Sequence, residues 1–209
     1  EANNPEWKTV CLNEENGQIT VPTGSIGFRW GEEGKWNIVP SDAKTGQKIR
    51  PQKTLLGSQD DILEVGFPYF GGQIHEHGYF HASANEDVLN RKIPVKYVSI
   101  KGVKTPVATV FDLLCANYGI ARKGLDGANV ARTYNDDVPF TPKWQEKITG
   151  VSADKVIQVA RAFAQNADVT KGKSMIIIGA AMNHWYHMDM NYRAAINMLV
   201  FCGCIGQSG

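Results

Sequence analysis

The sequence predicts an α/β protein: a portion of a parallel sheet with helices on both faces, preceded by a loop-rich insertion of β-hairpins. Three observations carry that expectation. Residues 175–178 are Met-Ile-Ile-Ile, an apolar run without alternation, as in a strand buried on both faces. Helical patterns stand on either side, giving the order helix, helix, strand, helix that suits a parallel sheet with covering helices. The first third instead reads as short strands separated by Asn-Gly and Gly-rich turns.

Taken in order, residues 9–12 and 18–21 flank Glu14-Glu-Asn-Gly17, where Asn16-Gly17 is a hairpin signal. Residues 25–30 and 35–39 flank Gly31-Glu-Glu-Gly34 and are expected to form a second hairpin. Residues 40–60 carry few apolar anchors and read as a polar excursion. Residues 65–72 are aromatic and turn-rich, which suggests a packed loop. Residues 94–101 read as a strand. Thr109-Val-Phe-Asp112 has the form of a capping box opening a short helix that Gly119 ends in the left-handed region. Residues 121–140 hold Gly, Asn and Asp and read as loop. Thr141-Pro142 supplies an N-cap and an N1 proline to a helix through Lys147, closed by Gly150. Ser152 caps the next helix, with Val156, Ile157, Val159, Ala160, Phe163 and Ala164 on one apolar face. Asp189 is expected to cap the last helix, whose buried face takes Ala194, Ala195, Met198, Leu199 and Phe201 or Cys202. The chain is accordingly divided into a β/loop-rich segment, 1–93, and an α/β segment, 94–209.

Composition excludes several classes. At 209 residues the chain is long enough for one α/β domain with a core, or for a domain plus an extension. With a net charge of +1 and no basic block interleaved with aromatics, nothing points to nucleic acid. No stretch approaches the roughly 20 apolar residues that span a bilayer. The chain starts at Glu1 and stops within Gly203-Cys-Ile-Gly-Gln-Ser-Gly209, so it is expected to be an internal piece of a longer protein. Cys11, Cys115, Cys202 and Cys204 form no CxxC pair and read as reduced, mostly buried thiols, with Cys202 and Cys204 packing at a helix end.

The strand-loop-helix unit from 174 to 202 is the leading candidate site. In a parallel sheet, loops at the C-terminal edge form a crevice, and the following helix points free N–H groups and its positive dipole end into it. Gly179 would let the backbone turn, Asn183 and His184 would project at a ligand, and Trp185 and Tyr186 would offer stacking surface. The opposing reading is that Trp185, Tyr186 and His187 only pack beneath neighbouring loops. Gly203, Gly206 and Gly209 are spaced for a loop that lets backbone approach a bulky ligand. The unit is not GxGxxG, and no P-loop or Gly-x-Ser-x-Gly elbow is present. A second cluster, His75-x-His77-x-x-x-His81 with Glu86 and Asp87, matches no zinc signature and reads as a solvated loop rather than a metal site.

These residues together resemble the molybdopterin oxidoreductases of the dimethyl-sulfoxide-reductase type and, within them, the alpha subunits of membrane-bound respiratory nitrate reductases. Residues 1–11, Gly24-Ser-Ile-Gly-Phe-Arg-Trp30 and the block 174–209 carry the match, with Asn183-His-Trp-Tyr-His-Met-Asp-Met-Asn-Tyr-Arg193 as its specific part. The helix over 148–161 fits the wider superfamily. The resemblance implies a parallel-sheet dinucleotide-cofactor domain over 94–209. It also implies a molybdenum atom held by two molybdopterin guanine dinucleotides and reduction of nitrate to nitrite. Electrons would come from quinol through a membrane cytochrome b gamma subunit, an iron–sulfur beta subunit and an iron–sulfur cluster of the full-length subunit. The complex would sit peripherally on the cytoplasmic face of the cell membrane. Asn183 and His184 are then expected as catalytic wall residues, with Gly179, Trp185, Gly203, Gly206 and Ser208 also lining the cofactor. The aspartate molybdenum ligand and the cluster's His/Cys ligands would precede Glu1. The resemblance thus gives this chain no metal ligand and no activity by itself. Perchlorate or selenate reductases of the same branch and a stand-alone α/β module for a nucleotide-like ligand are the alternatives.

Overall fold

The computed structural model describes residues 10–22, 40–68, 88–125, 127 and 130–205. They form two small antiparallel sheets and five helices, a mixed α/β architecture. The chain divides into two compact units, one of residues 1–51 with 157–209 and the other of residues 52–156.

In the first unit, strands β1 (Cys11–Leu12) and β2 (Ile19–Thr20) pair with Cys11 opposite Thr20 and Leu12 opposite Ile19. The hairpin is the expected one, shortened to two residues a side. Gly17, at φ 68°, donates to the Asn13 carbonyl at 2.8 Å and closes the turn. Asn13 is buried, and its Oδ1 accepts from the N–H groups of Glu15 and Arg50, so it joins the hairpin to the segment after residue 40. That segment is better anchored than its polar sequence suggests. Ile49 is buried, and the Asp42 carboxylate holds a tight turn by accepting from the N–H groups of Lys44 and Thr45. The second hairpin expected over 25–39 lies outside the described residues.

The second unit is built on a meander of β3 (Asp61–Pro68), β4 (Val88–Ile100) and β5 (Val103–Val107), with β4 in the middle. One reading is corrected here. Residues 65–68, taken as loop, complete β3, and β5 was not anticipated. The 93/94 boundary drawn from the sequence falls inside β4. The two pairings of β4 are staggered: β3 covers residues 88–95 and β5 covers 96–100. Pro94 therefore sits where β4 has one partner strand, and Pro106 sits on an edge, so neither missing N–H breaks a two-sided ladder. Gly66 is required for packing, since a Cβ there would lie 2.8 Å from Cγ1 of Val88. Alternation along β4 turns Leu89, Arg91, Ile93 and Val95 inward and leaves Asn90 and Lys92 exposed. Helix α1 (Val110–Asn117) covers this row, and Ile93, Val95 and Ala116 form the core with Leu63, Val65, Phe67 and Leu113 around them. Each fully buried aliphatic side chain here contributes about 1.5–3 kcal/mol.

Helix α1 begins as expected: Thr109 is the N-cap and its Oγ1 accepts from the Asp112 N–H at 3.0 Å. It ends in a Schellman arrangement, with Gly119 at φ 65° donating to Ala116 O and Ile120 donating to Cys115 O. Asp112 departs from capping-box geometry. Its side chain is fully buried; one oxygen accepts from Arg122 Nη1 (2.6 Å) and Thr54 Oγ1 (2.5 Å), the other from Leu55 N (2.8 Å) and Thr109 Oγ1 (2.8 Å). One carboxylate thus joins three separate segments. Burial dominates at the neighbouring Cys115 and pushes its thiol up, the nearby Arg122 guanidinium opposing.

Helix α2 (Pro142–Thr149) has Thr141 at its N-cap, Pro142 in its first turn and Gly150 at φ 74° at its end, as the sequence indicates. Phe140 meets Tyr118 and Trp144 edge-on. Helix α3 (Ala153–Thr170) is real, but its covered stripe is narrower than expected: Ala153 and Ala167 are buried, Val156, Ile157 and Phe163 half-buried, and Val159, Ala160 and Ala164 exposed.

Candidate functional site

The candidate site belongs to the first unit and starts where α3 ends. Lys171, in the left-handed region at φ 59°, and Gly172, which donates to Ala167 O at 2.7 Å, stop the helix. Ser174 then fixes the next segment to α3, its Oγ donating to Phe163 O at 2.9 Å and accepting from Asn166 Nδ2 at 2.8 Å. Residues 173–179 carry no ladder among the described residues, so the buried parallel strand expected over 175–178 is not formed there. Side-chain exposure alternates along it instead: Met175 (68%) and Ile177 (86%) face out while Ile176 and Ile178 are half-buried. An apolar run of this kind gains stability only when other strands cover both faces.

Gly179 precedes a single helical turn, α4 (Ala180–Asn183), at φ −121° and ψ −173°. That is extended backbone open to any residue, and a Cβ there would meet nothing within 4 Å. The tight turn expected to need glycine at this point is therefore not one. His184 caps α4, and the chain turns through Trp185, Tyr186 and His187 into α5 (Met188–Phe201). His187, not Asp189, is the N-cap; it sits at φ 57°, and its carbonyl accepts from Met190 N at 3.0 Å, while Asp189 lies in the first turn. A non-glycine residue held in the left-handed region is locally strained, a feature that gathers at ligand-binding loops. The rings of Tyr186 and His187 lie 3.9 Å apart between centroids, tilted by 59°.

Asn183, His184, Trp185 and Tyr186 come together as one exposed polar-aromatic surface, with Trp185 72% and Tyr186 87% exposed. Packing beneath neighbouring loops does not account for them among the described residues. The hydroxyl of Tyr192, in the second turn of α5, donates to Oδ1 of Asn183 and ties the two helices together, a bond that nothing in the local sequence pattern signals. Gly203 has a clear local role: at φ 66° it donates to Val200 O, and Cys204 donates to Leu199 O, closing α5 as a Schellman motif. Cys204 is buried and its Sγ faces the Cys202 carbonyl at 3.6 Å; burial pushes the Cys202 thiol up, helped by the neighbouring Cys204. Gly206 and Ser208 lie outside the described residues, as do Gly209, His75, His77, His81, Glu86 and Asp87. Among the described residues no three His, Cys, Asp or Glu side chains are grouped as a metal site.

Chemically, this surface offers hydrogen-bond donors and acceptors beside two wide rings, which fits a flat heterocyclic or anionic group lying over α4 and the start of α5. Residues 41–209 match the molybdopterin oxidoreductase family model, and the chain belongs to that family. Within it the chain is 58% identical over 208 residues to the respiratory nitrate reductase 1 alpha chain of Escherichia coli strain K12 and 40% identical over 204 residues to the nitrate reductase alpha chain of Bacillus subtilis strain 168. These matches cover 99% and 98% of this chain and 16% of each relative. The chain thus spans about a sixth of the length of the relatives it matches. The perchlorate reductase alpha subunit of Dechloromonas aromatica strain RCB is 26% identical over 170 residues, 80% of this chain and 16% of that subunit.

Proposed function

We propose that this chain is part of the catalytic subunit of a respiratory nitrate reductase, which takes nitrate, two electrons and two protons to nitrite and water. The observation that carries the reading is 58% identity over 99% of this chain to a nitrate reductase alpha chain. The 26% identity to a perchlorate reductase alpha subunit makes that second reading of the same branch weaker, and nothing favours selenate. The exposed loop at 183–186 supports a cofactor-facing role. Gly179, Asn183 and His184 would face the molybdenum and pterin, with Asn183 and His184 as the wall beside the reacting centre, Trp185 would also line the cofactor, and Gly203, Gly206 and Ser208 would line the dinucleotide. When bound, a molybdenum bis(molybdopterin guanine dinucleotide) supplies the oxygen-atom acceptor chemistry. The residues of this chain bind and orient: donors at Asn183 and His184 suit nitrate, whose oxygens only accept.

The exposed Met175 and Ile177 support a parallel-sheet reading of the cofactor domain, in which the extended segment 174–179 is a strand covered by polypeptide beyond these residues. An iron–sulfur cluster elsewhere in the full-length subunit, beta and gamma partner subunits, quinol as electron source and a position on the cytoplasmic face of the membrane are part of the same proposal. No helix among the described residues is long and apolar enough to cross a membrane. The test is a substrate comparison. The full-length subunit with its partners, supplied with reduced viologen, is expected to turn over nitrate with a far larger kcat/KM than perchlorate or selenate. Preference for either of the others would overturn the assignment.

A further inference from the structure

Helix α5 runs out into Cys202-Gly203-Cys204, and the turn that closes it brings two free thiols together. Gly203, at φ 66°, and the bonds from Gly203 N to Val200 O and from Cys204 N to Leu199 O fold these residues back on the helix. With both peptides trans and a left-handed residue between them, the Cα atoms of Cys202 and Cys204 stand about 5.5 Å apart, inside the window of roughly 4.4–6.8 Å that a disulfide spans. The Cys204 side chain curls back over its neighbour, its Sγ 3.6 Å from the Cys202 carbonyl. The two sulfurs differ in access: Cys202 is half-buried and Cys204 only 8% exposed. An outer thiol can meet a dissolved reagent while an inner one lies behind it. Cys11 and Cys115 have no such neighbour in the sequence.

We infer that Cys202 and Cys204 are a thiol–disulfide pair, a redox modification site that a small-molecule disulfide such as oxidised glutathione closes into an intrachain bond. Cys202 gives up its proton, and its thiolate attacks one sulfur of the reagent. The reagent S–S bond breaks, and the first glutathione leaves with the electron pair and takes up that proton. Cys204 then gives up its own proton and attacks the Cys202 sulfur, and the second glutathione leaves as a thiol. Two protein thiols are oxidised to one disulfide while one reagent disulfide is reduced to two thiols. The new bond closes a ring across Gly203 and ties the exit of α5. Burial first, and Cys204 second, push the Cys202 thiol up, so little thiolate is present at neutral pH and the reaction is slow unless the reagent is abundant.

The experiment incubates the full-length holoenzyme with excess oxidised glutathione, alkylates the remaining thiols after denaturation and reads the peptide containing residues 202–204 by mass spectrometry. In the wild-type protein both thiols are expected to be lost together, with no glutathione retained and with both recovered after dithiothreitol. In Cys204→Ser the reaction is expected to stop at the first step and leave one glutathione on Cys202, because the resolving sulfur is gone. Both thiols still open to alkylation in the wild-type protein would overturn the inference. So would a wild-type peptide that keeps glutathione on Cys202, or one in which either sulfur is bonded to Cys11 or Cys115 instead. The wild-type peptide alone decides, so a Cys204→Ser variant that fails to fold leaves the test intact.

Discussion

Replacing Asp112 with alanine tests the central packing claim for the second unit. The carboxylate is fully buried and accepts four hydrogen bonds, from Arg122, Thr54, Leu55 and Thr109. Its removal leaves the Leu55 N–H without its acceptor and takes the carboxylate partner from Arg122, whose side chain is only 14% exposed. Breaking a buried pair by deleting one partner costs about 3–5 kcal/mol. Arg122 keeps its Nη2 bond to Thr54 Oγ1, so the lower end of that range applies, about 3 kcal/mol. The readout is amide hydrogen exchange at Leu55 and along α1, where 3 kcal/mol corresponds to an acceleration of about 150-fold. Adding Arg122→Met removes the orphaned charge, so the double variant should exchange more slowly than Asp112→Ala alone. Acceleration below about threefold, or a double variant at the sum of the two single effects, would refute the reasoning.

Backbone conformation gives two predictions of opposite sign. Lys171→Gly relieves a left-handed residue and should raise stability by about 1 kcal/mol, whereas Gly203→Ala imposes one and should lower it by a similar amount, both read by urea denaturation. Acid sensitivity follows from Asp136, whose carboxyl is held below the ordinary range first by the Thr133 hydroxyl and then by the N–H groups of Arg132 and Thr133. A depressed folded value means stability that is present above the unfolded carboxyl range and is lost as pH falls through the folded value. Asp136→Asn should therefore weaken the turn at pH 7 and remove part of the loss on acidification, measured as urea midpoints at pH 7 and pH 3.

Local chemistry was the legible part of the sequence. Thr109, Thr141, Gly119 and Gly150 act through bonds within a few residues, so caps and stops could be read directly. The strands were harder. β3 contains Gly66 and ends at Pro68, and β5 contains Pro106, residues that signal loops unless the register is known. Asp112 looked like a capping residue because its partners at Thr54 and Leu55 lie 58 and 57 residues away. The strand expected over 175–178 rests on an apolar pattern alone, and no strand among the described residues pairs with that segment. In the candidate site, Asn183, His184 and Trp185 were visible as an unusual polar-aromatic group, but the link to Tyr192 depends on how α4 and α5 meet.

The proposal as a whole turns on whether the loop at 183–186 borders the reacting centre, and His184→Ala in the full-length enzyme tests that most directly. Nitrate reduction with reduced viologen would be measured beside molybdenum content, which separates a catalytic defect from loss of cofactor. Loss of one hydrogen-bond donor at a reacting oxyanion costs roughly a hundredfold, so turnover should fall by about that factor with molybdenum retained. Unchanged kcat and KM would contradict the account.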